Sequence, residues 1–433
     1  MEKRIYQHVR YFVEECGQRI AGTKELMKAS DYILEFYRQE GIRTEVHEFE
    51  VPVCHAVRSE LKAKTDEGWM ELAHTPVMFA KNTPADGLTL PLVFLGNGNP
   101  ADFQEKDVRG KAALIARDVY MEYPDLFMYR RLYEYGAAAV IYTTNDGHWE
   151  VPYVYANFET MDEPYTIPTA VIHYKTALEL LRQQTPEIYM NIQYETEMGK
   201  TRTTIGVIDG DELPEENVIC CAHLDSAVSS VGATDDVAGV AAVMELARYY
   251  NQRKKAGKPL KRTIRFIAWS GHECGLHGSK YYLLEHPDIL DSVKFVLNYD
   301  GIGNAISNYS VLGAFSPSVQ KKLEDILREQ GLEWPVTQVP LVCDTLNFAV
   351  REIPQFTLCS GIFCGNHTKW DSLDLISPDG FRYPVRFSKA VLEWAAQEDV
   401  EQGYSEEMNE GMAYTGAMYG WGLFETKKEP EKK

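Results

Sequence analysis

The chain has 433 residues, long enough for up to three domains or for one large α/β domain with an insertion, so a full hydrophobic core is available. Hydrophobic residues make up 45% and charged residues 25%, ordinary globular values that exclude wholesale disorder. With 44 basic against 64 acidic side chains the net charge is −20, a field that repels phosphate backbones and anionic headgroups, so neither nucleic acid nor a membrane surface is expected as a partner.

The first residues, Met-Glu-Lys-Arg-Ile-Tyr-Gln-His-Val, carry basic groups with no apolar stretch behind them, and no uninterrupted run of about 18 apolar residues occurs anywhere. A cytoplasmic location is the expectation from this. Residues 1–50 read as helical, with Val9, Phe12, Val13 and Cys16 on one face and Ala29, Ile33, Leu34 and Tyr37 along a second helix. From 51 to 194 the character changes: more Pro, Gly and Tyr, shorter β-like runs, and the small-residue segment Gly136-Ala-Ala-Ala-Val-Ile-Tyr142. This stretch is expected to form an inserted domain. Within it Tyr120, Tyr123, Tyr129, Tyr133 and Tyr135 are read as packing residues, with the lining of a substrate cleft as the alternative.

After the insert, β-rich runs alternate with helical patterns, the signature of βαβ units and a mostly parallel sheet. Strands are predicted at 216–222, 263–269, 293–299 and 355–359, and helices at 237–250, 316–330 and 384–397. The near-continuous apolarity of the strands predicts an α/β fold whose sheet is covered by helices on both faces. Residues 1–50 and 195–425 together make one discontinuous domain, and the charged tail 426–433 is expected to be disordered. The eight cysteines (Cys16, Cys54, Cys220, Cys221, Cys274, Cys343, Cys359, Cys364) show no Cys-x-x-Cys spacing, which argues for small buried hydrophobes over a disulfide framework or a thiolate cluster. The basic run 253–262 reads as a helix C-terminus complementing its dipole, followed by a loop.

Polar residues collect where the strands of the second half end: His223 and Asp225, then Asp235 and Asp236, His272 and Glu273, Asp300, and His367. In open parallel sheets the crevice beyond the carboxyl ends of the strands is where ligands bind. Imidazoles and carboxylates without cysteine suit a catalytic zinc ion or a related divalent ion.

The stretches His223-Leu-Asp-Ser, Gly232-Ala-Thr-Asp-Asp-Val-Ala-Gly239, His272-Glu-Cys-Gly-Leu-His-Gly-Ser279, Asn298-Tyr-Asp-Gly-Ile-Gly303 and Gly365-Asn-His-Thr-Lys-Trp-Asp371 follow one another in an order that resembles the co-catalytic zinc aminopeptidases of metallopeptidase family twenty-eight. Glutamate carboxypeptidase II and the transferrin receptor are relatives of that family. Arg19-Ile-Ala-Gly-Thr23 is similar to its N-terminal signature, and Gly110-Lys-Ala-Ala-Leu-Ile with Gly136-Ala-Ala-Ala-Val-Ile resembles a protease-associated (PA) insert. Carried onto the matching positions, the resemblance implies two divalent ions, zinc foremost. Asp235 would bridge them, with His223 and Asp300 on one ion and Glu273 and His367 on the other. It further implies that Asp225 orients His223 and that the Asp235–Asp236 peptide is cis.

One position departs from the pattern. The family carries Glu-Glu where this chain has His272-Glu273, and the first glutamate is the general base. An imidazole beside two cations is expected to be neutral and able to accept a proton, so His272 is assigned as the catalytic base. The alternatives are an altered or inactive site, and His272 as an additional ligand. A His-Glu-x-x-His zinc helix is disfavoured, because His272 and His277 are five apart and would lie about 140° apart around a helix; His277 is read as structural. The implied activity is that of an aminopeptidase releasing N-terminal residues from a peptide or small amide substrate with a hydroxide activated between the two ions. A catalytically altered binding protein of the same fold and a carboxypeptidase or amidase of the family are the competing readings. Homo-oligomerisation is left open.

Overall fold

The computed structural model describes residues 1–116, 126–143, 149–156, 158–360, 365–420 and 423. Its centre is a mixed sheet in which Arg262–Trp269, Leu213–His223, Val293–Tyr299 and Gln355–Ser360 run parallel side by side. Tyr309–Ala314 continues the sheet on one side antiparallel to Gln355–Ser360, with Val336–Gln338 beyond it, and Glu187–Ile208 continues it on the other antiparallel to Arg262–Trp269. All four strands predicted in the second half are present, and their period-2 alternation explains why both faces are covered. Val218, Cys220 and Ala222 point into one core with Ile264, Phe266 and Ala268, whereas Ile219 and Cys221 point into the other with Ile267 and Trp269.

The larger core is capped by the helices Glu2–Tyr11, Lys24–Glu40, Ala238–Lys255, Pro317–Glu329 and Arg382–Gln397. Local chemistry sets their ends. The Thr23 hydroxyl accepts from Leu26 N and starts the second helix, and Gly41, in the left-handed region, stops it. Ser316 does the same for the helix that begins at Pro317. The predicted helix at 237–250 runs on to Lys255, so Arg253, Lys254 and Lys255 occupy its last turn, where they complement the dipole. The residues expected on one face of the first helix extend into a π-helical turn, Phe12–Cys16.

Residues 51–194 hold a second sheet, Leu88–Gly96, Ala112–Ala116, Ala139–Thr143 and Thr169–Ile172, all parallel, with His74–Pro76 antiparallel at the edge. The two sheets are joined by a ribbon the sequence did not reveal. Arg43–Thr65 pairs antiparallel with Glu187–Ile208 along nearly its whole length. The Glu187–Ile208 strand pairs with Arg262–Trp269 at one end and with Leu88–Gly96 at the other. The junctions at 50/51 and 194/195 therefore fall inside unbroken strands.

Tyr129 is buried within the insert, Tyr133 and Tyr135 are exposed, and Tyr120 and Tyr123 lie outside the described residues. So do Cys364 and the tail 426–433. The seven described cysteines are all free and buried. Among the described residues no helix is long and apolar enough to cross a membrane.

Candidate metal centre

The parallel strands deliver their polar C-terminal residues to one crevice. His223 ends one strand, Asp300 follows Tyr299, and His272 and Glu273 follow Trp269 on a turn that leads into the helix His277–Glu285. Asp235 arrives on the turn before the Ala238–Lys255 helix, and its peptide bond to Asp236 is cis. His367 comes on the loop 365–371 with φ 55°, in the left-handed region.

The structure brings all seven sequence-predicted site residues together. The Asp235 carboxylate lies between two imidazoles, with Oδ1 2.8 Å from His223 Nε2 and Oδ2 3.4 Å from His367 Nε2. Beyond His367, Nε2 is 3.2 Å from Glu273 Oε2; beyond His223, Nε2 is 4.0 Å from Asp300 Oδ1. Two donor sets have ligand atoms within 4.8 Å of one another: His223, Asp235 and Glu273, and His223, His272 and Asp300. Glu273 is buried, with Oε2 against the His367 imidazole and Oε1 without a hydrogen-bond partner. Leaving an ionised carboxylate so is costly unless a cation is its partner, and the His/carboxylate donor chemistry is that of zinc or a similar divalent ion. The residues present therefore fit such ions.

A layer of contacts holds these side chains. The Asp225 backbone carbonyl accepts from His223 Nδ1 at 3.0 Å, while its carboxylate accepts from the backbone N–H groups of His272 (3.2 Å) and Glu273 (3.0 Å). Asp225 thus orients His223 through its main chain and the 272–273 turn through its side chain. Asp236 Oδ1 accepts from Gly239 N and Gly301 N. Arg19, fully buried, donates to the carbonyls of Gly17, Leu224, Val231 and Gly232 and so ties the N-terminal signature to the loop that carries Asp225.

Several supports were not legible in the sequence. Asp371 accepts from the Thr234 backbone and hydroxyl and from Asp235 N. Asp344 accepts from His272, and Cys343 Sγ lies 3.0 Å from Asp300 Oδ2. Asp371 lies within a recognised motif, but Asp344 and Cys343 belong to none, and each contact spans many residues of chain.

The electrostatics follow from crowding buried acids. Burial raises Asp235, but hydrogen bonds and charge from His223 and His367 outweigh it and hold the carboxyl well below its usual range. Burial together with Asp300 and Asp235 pushes Asp236 well up, and burial with Asp235 lifts Asp371 to about 7. For His272, burial and neighbouring His223 lower the imidazole, yet Asp344 and Asp300 prevail and bring it to about 9. The expectation of a neutral His272 therefore depends on cations in the crevice offsetting those carboxylates. His277 sits outside the cluster: burial lowers it to about 4, and its Nε2 donates to Cys274 O at 3.0 Å, a structural role.

Compared with known families, residues 203–392 match Peptidase family M28 and residues 88–180 match the PA domain. Carboxypeptidase Q from Xenopus laevis is 26% identical over 313 residues, 69% of this chain and 65% of the relative. Aminopeptidase YwaD from Bacillus subtilis (strain 168) is 27% identical over 294 residues, 65% of this chain and 57% of the relative. The chain thus spans less than two thirds of the length of these curated relatives. Among solved structures, a zinc aminopeptidase from Bacillus subtilis superposes with a TM-score of 0.71 and 25% identity, covering 92% of this chain and 98% of that one. The part of the chain that carries the crevice, residues 203–392, is thus similar to Peptidase family M28, and residues 88–180 are similar to the PA domain.

Proposed function

We propose that the protein is a metal-dependent exopeptidase, and specifically an aminopeptidase. The observation that carries this reading is the Asp235 carboxylate set between His223 and His367, with Glu273 buried beside His367 and its Oε1 lacking a hydrogen-bond partner. A pure binding protein has no physical need for mutually repelling carboxylates held in such a crevice. His223, Asp235 and Asp300 would hold one divalent ion, and Asp235, Glu273 and His367 the other. When bound, the ions supply positive charge that polarises a scissile carbonyl and acidifies the attacking water.

The chain's own contribution is orientation and proton transfer. Asp225 fixes the backbone of His272 and Glu273, so both side chains leave one rigid turn. The Nε2 atom of His272 takes the proton from the attacking water, the part played by a glutamate elsewhere in the family. Substituting His272→Ala is expected to lower kcat by about 10² to 10⁴ with metal content unchanged.

Similarity to carboxypeptidase Q supports a second reading, in which the substrate is gripped by its C-terminus. Metal-reconstituted protein assayed against aminoacyl-anilides and against N-blocked dipeptides separates the two. Anilide cleavage with about two zinc ions per chain supports the aminopeptidase, and turnover of N-blocked dipeptides alone supports the carboxypeptidase. Absence of bound metal in zinc-supplemented protein would remove both.

A further inference from the structure

Asp344 lies outside every motif that carries the family likeness, at the start of the 3-10 helix Asp344–Arg351, yet its side chain reaches the base position. Its Oδ2 is 2.9 Å from His272 Nδ1. A carboxylate oxygen here accepts, so Nδ1 carries a proton in this contact, and when the ring is neutral Nε2 is the nitrogen left with the lone pair. The other oxygen, Oδ1, accepts from Ser279 Oγ at 2.5 Å, and Ser279 Oγ accepts from Asn347 Nδ2 at 2.8 Å. Asp344, Ser279 and Asn347 are all fully buried, so the carboxylate is clamped from both sides. The imidazole is fixed as well: its ring stacks on His223 at 3.9 Å with 9° between planes, and Nε2 faces Asp300, 3.9 Å from Oδ2.

We infer that Asp344 is a positioning residue that holds His272 in the Nδ1–H tautomer and aims Nε2 into the crevice. The inference rests on the proposed role of His272 as base and adds to it the group that makes an imidazole serviceable in a glutamate's place. A carboxylate base needs no tautomer control, because either oxygen can accept. An imidazole has one acceptor nitrogen, and without a fixed partner it presents N–H or lone pair to the crevice indifferently.

The test combines spectroscopy with kinetics on zinc-loaded protein. Nitrogen-15 NMR of labelled imidazoles, assigned by comparison with His272→Ala, should place the proton on Nδ1 in the parent. In Asp344→Asn, which conserves volume, and in Asp344→Ala, the Nε2–H form should appear. In both variants kcat should fall by about 10- to 10⁴-fold, the range set by loss of orientation in carboxylate–imidazole pairs. KM and metal content should stay within about twofold of the parent, and the thermal melt of Asp344→Asn should confirm that it folds.

An Nε2–H tautomer in the parent overturns the inference. So does unchanged kcat in a folded Asp344→Asn whose His272→Ala counterpart is inactive, and so does loss of an ion from Asp344→Asn, which would make the residue a support of the metal site. Full activity in His272→Ala would count against the base assignment itself, while the tautomer measurement still decides what Asp344 does.

Discussion

Asp371 holds the backbone that presents Asp235. Its carboxylate accepts from Thr234 N and Thr234 Oγ1, each at 2.7 Å, and from Asp235 N at 3.1 Å. The two residues lie far apart in sequence, and burial beside Asp235 raises the Asp371 carboxyl to about 7, so the contact costs electrostatic energy in the absence of cations. Its benefit is geometric, since it fixes the turn from which Asp235 projects between His223 and His367. Truncation by Asp371→Ala leaves buried N–H donors unpaired, at about 1–3 kcal/mol each. Metal affinity should drop by about 10- to 100-fold, as expected when a group supporting a ligand is lost. Zinc titration with a competing chelator reads this directly, and unchanged affinity would show that the Thr234–Asp235 turn holds its shape unaided.

The contrast between Asp235 and Asp371 shows what the sequence could disclose. Strand ends at 222, 269, 299 and 359 are readable because each strand is a near-continuous apolar run that stops near a polar residue, and that pattern alone assigns His223, His272, Asp300 and His367 to one crevice. Asp344 was not readable, because its partner is set by how the 3-10 helix packs against the His277–Glu285 helix, and no local pattern encodes that. The ribbon of Arg43–Thr65 with Glu187–Ile208 was missed for another reason. Much of it, such as Glu48, Glu50, Glu195 and Glu197, faces solvent, so no apolar stripe marks its length.

The insert touches the candidate centre. His367 Nδ1 donates to the Tyr153 carbonyl at 2.8 Å, and Tyr153 N donates to His367 O at 3.0 Å, so a segment of the insert orients one imidazole of the cluster. Replacing residues 66–186 by a short linker keeps the ribbon but removes this pair. The ion expected at Glu273 and His367 should then bind about 10- to 100-fold more weakly, while the one at His223 and Asp300 changes little. Stepwise zinc titration distinguishes them. Two ions held as tightly as in the parent, in soluble truncated protein, would make the Tyr153 contact incidental.

A test remote from the centre concerns Glu245, fully buried on the Ala238–Lys255 helix. It pairs with Arg4 Nε and Arg248 Nη1, each at 2.8 Å, and with His8 Nε2 at 3.2 Å, fastening the first helix to the Ala238–Lys255 helix. Burial raises its carboxyl, but His8, Arg4 and Arg248 outweigh burial and lower it below 4.5. The stabilisation is therefore complete above the unfolded value and lost as pH falls through the lower folded one. Removing the charge with Glu245→Gln should cost about 1–3 kcal/mol near neutrality, since it takes the charged acceptor from Arg248 and from the half-exposed Arg4. Urea melts of parent and variant should differ most near pH 7 and converge as acidification passes the lowered folded value of Glu245. A constant difference across that range would mean that the charge of Glu245 contributes nothing.

Exchanging His272 for the family's glutamate meets an obstacle in this chain. Asp344 Oδ2 lies 2.9 Å from the ring nitrogen that the exchange removes, so His272→Glu would set two carboxylates against each other in a buried site. Like charges at such range force one of the pair to take up a proton or to turn away, and either outcome spoils a base. The single substitution should therefore recover little of the activity lost in His272→Ala. Adding Asp344→Asn supplies an amide that can donate to the new carboxylate, so the double variant should exceed His272→Glu alone. Asp344→Asn is thus expected to lower kcat in the parent and to raise it in the His272→Glu background. That reversal of sign is the coupling expected of two positions in contact within one network. It is measured from four kcat values at matched zinc content, and a loss of similar size in both backgrounds would mean that Asp344 supports the scaffold and has no bearing on the base.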